Sequence, residues 1–216
     1  MVPIRQKTRF SLPQIKQALH LADFDSRAAQ GRMAPIPRAR VRPPQKPGQP
    51  YRGAVLLLLF RSNNRLYLTL TKRQDNLSYH PGQICFPGGH QENKEPLQET
   101  ALRETREEVG IRPQALRVLG ELAAVYIPPS DFIVHPFVAW HAGLPRFKPD
   151  PKEVADMITV RLSSLFDPAS RSKEERKTGS QTLTVPYFLI RDHKVWGATA
   201  MILSEFLERL NAINQF

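Results

Sequence analysis

At 216 residues, with 41% apolar residues and a single cysteine, Cys85, the chain is long enough to bury one sizeable α/β core without any internal disulfide. Its longest apolar run, GAVLLLLF at 53–60, falls far short of the roughly 20 residues a membrane span needs, so no membrane insertion is expected and the cytoplasm is the expected compartment. The net charge of +11 is concentrated at the front, where residues 1–50 hold ten Lys and Arg against two Asp.

Those fifty residues also hold eight prolines, and PIPRARVRPPQKPGQP (35–50) favours extended chain over helix. Residues 1–50 therefore read as a basic, proline-rich N-terminal extension and residues 51–216 as the folded domain. Within the extension, Ser11 can cap a short helix that has Leu12 and Pro13 in its first turn and Ile15, Leu19 and Leu21 partly on one side. A basic arm suits nucleic acid, anionic lipid or an acidic substrate, and a simply solvated arm fits as well.

From Gly53 the pattern changes to short β-like runs. GAVLLLLF and RLYLTLT (65–71) read as neighbouring strands joined at Asn63-Asn64, and Gln83–Phe86 as a third. A helix is expected from Pro96 to Val109, with Pro96 in its first turn and Gly110 as the left-handed residue that ends it. LRVLGELAAVYI (116–127), FIVHPFVAWH (132–141) and ADMITVRL (155–162) read as further strands, and Leu162–Phe166 as a short helical turn. The polar stretch 171–181 reads as a mobile loop, and Ala198–Leu210 as an amphipathic helix. Strands and helices mixed in this order predict an α/β fold, a sheet covered by helices on both faces.

The helix at 96–109 carries the chemistry. Glu104, Glu107 and Glu108 lie within about 100° of one another, while Ala101, Leu102, Thr105 and Val109 cluster on the neighbouring side. Two carboxylates about 6 Å apart repel by roughly 3 kcal/mol at an effective dielectric near 20, so a partly enclosed face needs a cation. Hard divalent ions such as Mg²⁺ or Mn²⁺ take oxygen ligands and complete their shell with water and substrate phosphates. Arg103, four residues after Glu99 and four before Glu107, is placed to orient acids.

Three glutamates alone would be an ordinary solvated helix face. The full spacing is more specific: Gly89, five residues, Glu95, seven residues, Arg103-Glu104, two residues, Glu107-Glu108, one residue, Gly110-Ile111. This pattern resembles the Nudix box, with one departure, Thr105 where an aliphatic residue is usual. The resemblance covers roughly residues 50–165 and implies a Nudix α/β/α sandwich with a mixed sheet that hydrolyses nucleoside diphosphate derivatives with a metal. It makes Glu104 and Glu108 the leading metal ligands, with Glu107 a third, the Gly88 carbonyl a fourth, and Glu95 either a water-mediated ligand or a cap.

Immediately before the box stands LTKRQDNLSYHPGQICFPGG (70–89), which resembles the signature of coenzyme A pyrophosphatases through Leu70, Thr71, Arg73, Gly82, Phe86, Pro87, Gly88 and Gly89. It departs at Thr69 for Leu, at Gln74 for Ser or Ala, and at Ser78 for a second Arg. The resemblance implies coenzyme A or an acyl derivative as substrate, with Lys72 and Arg73 meeting phosphate and His80, Gly82 and Phe86 near the bound molecule. A histidine in a turn serves equally as a local hydrogen-bonding group, and Gly82 meets a backbone need. Glu153 is a candidate late acid of the kind that some Nudix enzymes supply from a loop; a surface glutamate fits equally. Cys85 reads as a small core residue. Trp196 resembles the Trp-Gly before the last helix of the same group, where packing comes before any part in shaping the pocket.

Two rival readings accompany this one. The first is hydrolysis of another nucleotide, such as a dinucleotide, a nucleoside triphosphate or a capped RNA end. The second is a non-catalytic module that grips nucleic acid through its arm, against which stand the intact set of acids and the lack of aromatic–basic interleaving. Nucleic acid is thus not the expected partner, and a homodimer is allowed.

Overall fold

The computed structural model describes residues 10–37, 48–77, 80–179 and 181–214. Ser78 and most of the proline-rich segment lie outside these residues. Helices α1 (Leu12–Leu19) and α2 (Ser26–Gly31) precede strands β1 (Tyr51–Ser62), β2 (Arg65–Arg73), β3 (Ile84–Cys85) and β4 (Gly88–His90). Helix α3 (Leu97–Val109) leads to β5 (Leu116–Glu121), β6 (Val125–Ile127), β7 (Phe132–His141) and β8 (Val154–Arg161). A hairpin of β9 (Arg171–Thr178) and β10 (Gln181–Ile190), then β11 (His193–Trp196) and α4 (Gly197–Asn214), completes the described chain.

The main sheet runs β3-β2-β1-β7-β5, with β4 added to β1, β6 to β7 and β8 to β2. It is mixed, because β1 pairs with β7 in parallel and with β2 and β4 antiparallel. The β1–β2 hairpin turns at Asn63 and Asn64, both at positive φ (46° and 58°), as a tight two-residue turn requires. The unbroken apolar run of β1 follows from its position, since both of its faces are covered. Ala54 and Leu56 pack with Ala101 of α3, while Leu57 and Leu59 belong to the larger core with Phe206 and Leu207 of α4. This is the expected sandwich.

The N-terminal extension does not stand apart from that core. Ser11 and Gln14 form a reciprocal capping box that starts α1, and Phe10, Ile15, Leu19 and Met33 are buried in the main cluster. A buried polar group holds the extension down: Glu205, fully buried on α4, accepts from Arg209, from Gln30 of α2 and from the Ala123 amide. Arg209 in turn donates to the Ala18 and Leu19 carbonyls at the end of α1.

Two expectations are corrected. The run 116–127 is two strands, because the backbone of Ala123 turns away from the sheet, its amide to Glu205 and its carbonyl to Gln30. The polar stretch 171–181 is mostly strand β9, paired with β10 over eight register positions. RSKEERKT (171–178) contains no apolar residue, which leaves no apolar period to read. Replacing Arg209 with Ala should cost about 3–5 kcal/mol, because the buried Glu205 loses its charged partner; urea unfolding of the two proteins measures this.

Candidate active site

Helix α3 begins after Pro96, which is its N-cap rather than part of its first turn, and ends at Gly110 with φ +73°. A side chain at that left-handed position would be strained and would also meet Lys148. Its buried residues include Thr100, Ala101, Thr105 and Val109. The Thr105 hydroxyl donates to the Ala101 carbonyl at 2.7 Å, so a polar side chain is satisfied where an aliphatic one is usual. With this stripe against β1, the neighbouring stripe carries the acids along one border of the sheet.

Strand β4 brings backbone up to that border. A Cβ at Gly89 would stand 2.5 Å from the Glu104 carboxyl carbon, so only glycine allows this approach. Arg103 sits at the centre of the acids. Its Nη1 donates to Glu104 and Glu107, both at 2.9 Å, and its Nη2 donates to Glu95 at 2.8 Å and to the His90 carbonyl at 2.9 Å. These hydrogen bonds hold the Glu95 carboxyl down at about 2 and push the Arg103 guanidinium up.

Glu108 has a different environment. It is 3% exposed, accepts from the Gly88 amide at 3.2 Å, and has the Arg73 guanidinium 3.7 Å away. Burial pushes its carboxyl up to about 8, opposed by Arg73 and Gly88 and reinforced by the charges of Glu104 and Glu153. Burial also raises Glu104, opposed by Arg103 and reinforced by Glu107 and Glu153. The turn 150–153 thus brings Glu153 within electrostatic range of both acids. That turn is tied to α3, with the Asp150 amide donating to the Glu108 carbonyl at 2.9 Å and the Lys148 amide to that of Val109 at 2.9 Å. It is tied to the end of β2 by Gln74, whose amide donates to the Glu153 carbonyl at 2.9 Å and whose side chain donates to that of Pro151 at 2.7 Å.

The remaining predicted residues divide. Lys72 ends β2 beside Arg73 and is paired with Ile84 of β3. His80 is exposed, at φ +55°, and Gly82 closes the same loop at φ +64° with the Asp75 carboxylate against it. Phe86 is 1% exposed and belongs to the main core, two residues before β4. Burial pushes the Cys85 thiol up to about 11, which suits an unreactive packing residue. Trp196 lies under the Arg176 guanidinium at 4.2 Å, on a strand that packs against β3.

Among the described residues no three His, Cys, Asp or Glu side chains already converge as a metal seat. Arg103 gathers Glu95, Glu104 and Glu107 around its own charge instead. The donors are nonetheless all hard oxygens on one border, and burial raises the carboxyls of two of them, the half-buried Glu104 and the buried Glu108. Such a set suits a hard divalent cation. A NUDIX domain family model matches residues 50–180. The chain belongs to the Nudix hydrolases. They are pyrophosphohydrolases acting on nucleoside diphosphate derivatives, and they generally need a divalent metal such as Mg²⁺ or Mn²⁺.

Two curated Nudix relatives cover most of the molecule. Nudix hydrolase 3 of Caenorhabditis elegans is 31% identical over 73% of this chain and 72% of its own length. The human mitochondrial coenzyme A diphosphatase NUDT8 is 32% identical over 75% of this chain and 70% of its own. The crystal structure of RenU, a Nudix hydrolase from M. smegmatis, superposes with a TM-score of 0.53 at 17% identity, covering 77% of this chain and 88% of that one, which supports the shared fold. No helix among the described residues is long and apolar enough to cross a membrane.

Glu108 supplies a direct test of this electrostatic arrangement in metal-free protein. Its carboxyl titrates higher in the folded chain, about 8 against 4.5 for the free group, so folded stability is lost as pH rises between those values. Glu108→Gln keeps an acceptor for Gly88 but removes the ionisation. Its melting temperature should match the parent near pH 5 and exceed it at pH 9, by an increment corresponding to at least about 1 kcal/mol.

Proposed function

We propose that the chain hydrolyses the diphosphate of coenzyme A or of an acyl-coenzyme A, giving phosphopantetheine, free or acylated, and 3′,5′-ADP. The observation that carries this reading is the position of Arg73, a cation of the coenzyme A-type segment, 3.7 Å from Glu108 of the Nudix helix. Coenzyme A carries a ribose phosphate as well as a diphosphate, so cations at the border of the acids have two groups to meet. The human relative named as a coenzyme A diphosphatase supports the same reading.

Glu104 and Glu108 would hold Mg²⁺ or Mn²⁺, with Glu107 and the Gly88 carbonyl completing the protein side and Glu95 contributing through water. Bound there, a divalent cation neutralises diphosphate oxygens and acidifies water. Arg103 keeps Glu104 and Glu107 oriented, and Lys72 and Arg73 orient the phosphates. Glu153 accepts a proton from the attacking water, whose oxygen joins one phosphorus as the bridging P–O bond breaks; the bridging oxygen leaves with the other phosphate. His80 and Gly82 border the bound molecule from the loop after β2. We place the enzyme in the cytoplasm, a reducing compartment that its lone cysteine suits.

Activity should vanish in excess chelator and return with Mg²⁺ or Mn²⁺. Glu104→Gln and Glu108→Gln should each lower kcat by about a hundredfold or more while remaining folded, and Arg103→Ala should lower it less. Dephospho-coenzyme A should be poorer by roughly one to two powers of ten, the loss expected from charge-assisted hydrogen bonds to the ribose phosphate. Product analysis by chromatography reads all three. Intact coenzyme A beside a hydrolysed dinucleotide or nucleoside triphosphate would refute the substrate and leave the Nudix reaction standing.

A further inference from the structure

Gln74 stands where the coenzyme A-type segment usually has Ser or Ala, and the longer side chain has a definite use. Its Nε2 donates to the Pro151 carbonyl at 2.7 Å and its backbone amide to the Glu153 carbonyl at 2.9 Å. One residue at the end of β2 thus holds the turn at both Pro151 and Glu153. Inside the turn the Glu153 and Val154 amides converge on the Asp150 carbonyl at 3.1 and 2.9 Å, and the Lys152 amide on the Asp150 carboxylate at 2.9 Å. On its far side the Asp150 amide is bonded to the Glu108 carbonyl of α3. The turn therefore spans two supports, the last residues of the Nudix helix and Gln74. Neither Ser nor Ala at position 74 could reach Pro151, because both side chains end too close to the backbone.

We infer that Gln74 is a positioning residue that fixes the turn 150–153 and so sets where the Glu153 carboxylate stands relative to Glu104 and Glu108. This rests on the reading of Glu153 as the proton acceptor. A carboxylate on an exposed turn samples many positions, and proton transfer needs it within hydrogen-bond reach of the water. The Gln74 side chain narrows that range without touching the substrate. The backbone bond from Gln74 to Glu153 persists in any variant, so loss of the side chain should weaken catalysis without abolishing it.

The test is a double-mutant cycle in the full chain with Mg²⁺, on whichever diphosphate it hydrolyses fastest. Gln74→Met keeps the length and removes the donor; Gln74→Ser restores the usual residue type. Both should lower kcat by about tenfold with KM within about twofold, and adding Gln74→Met to Glu153→Gln should change kcat by less than about twofold. In metal-free Gln74→Met, amide exchange at Lys152 to Val154 should quicken. A Gln74→Met enzyme with parental kcat, losses that multiply in the double variant, or unchanged exchange would each overturn the inference. Full activity in Glu153→Gln alone would instead remove Glu153 as proton acceptor, and the inference with it, while leaving diphosphate hydrolysis intact.

Discussion

Arg103 brings one positive charge into a ring of acids, with Glu95, Glu104 and Glu107 each at 2.8–2.9 Å, and the surrounding elements bear on how those acids are held. Like charges gathered this closely repel, most at the half-buried Glu104 and least at the exposed Glu107, and a cation among them offsets that repulsion. Arg103 is that cation for three of the acids. Glu108, on the buried side, has Arg73 instead, farther away at 3.7 Å, and its carboxyl stays largely protonated near neutral pH.

The sheet serves this border. Gly88 and Gly89 bring β4 backbone against the helix, and Phe86 fixes the preceding turn in the core. The end of β2 delivers Arg73 to Glu108, and Gln74 to the turn that carries Glu153. On the opposite face, α4 closes the core, and its Glu205–Arg209 pair ties down the two N-terminal helices. Those helices are remote from the acids in sequence, yet they cover the same sheet.

Much of this was legible in the residues. GAVLLLLF read as a strand paired with RLYLTLT, and Asn63-Asn64, Pro96 and Gly110 marked the ends of their elements. Helical period placed carboxylates at i, i+3 and i+4 beside a packed stripe, and the spacing from Gly89 to Ile111 resembled the Nudix box. What was hidden depended on distant partners. The docking of α1 and α2 requires Glu205 and Arg209, more than 170 positions away, and the break after β5 has the same cause. Strand β9, RSKEERKT, contains no apolar residue and so no apolar period to read. Phe86 lies within a functional-looking motif, but nothing in the motif says which way its ring points. Gln74 read as a mere departure until its carbonyl partners could be seen.

Burial pushes the Glu108 carboxyl up to about 8, and the proposed divalent cation would complete it together with Glu104. Calorimetric titration of the protein with Mn²⁺ in buffers of different ionisation enthalpy measures this most directly, because a ligand with a pKa near 8 must give up its proton when the metal binds. At pH 7 about one proton should be released per cation, and the affinity should rise between pH 6 and pH 8. Binding with no proton release and no pH dependence, or undiminished binding to Glu108→Gln, would contradict it.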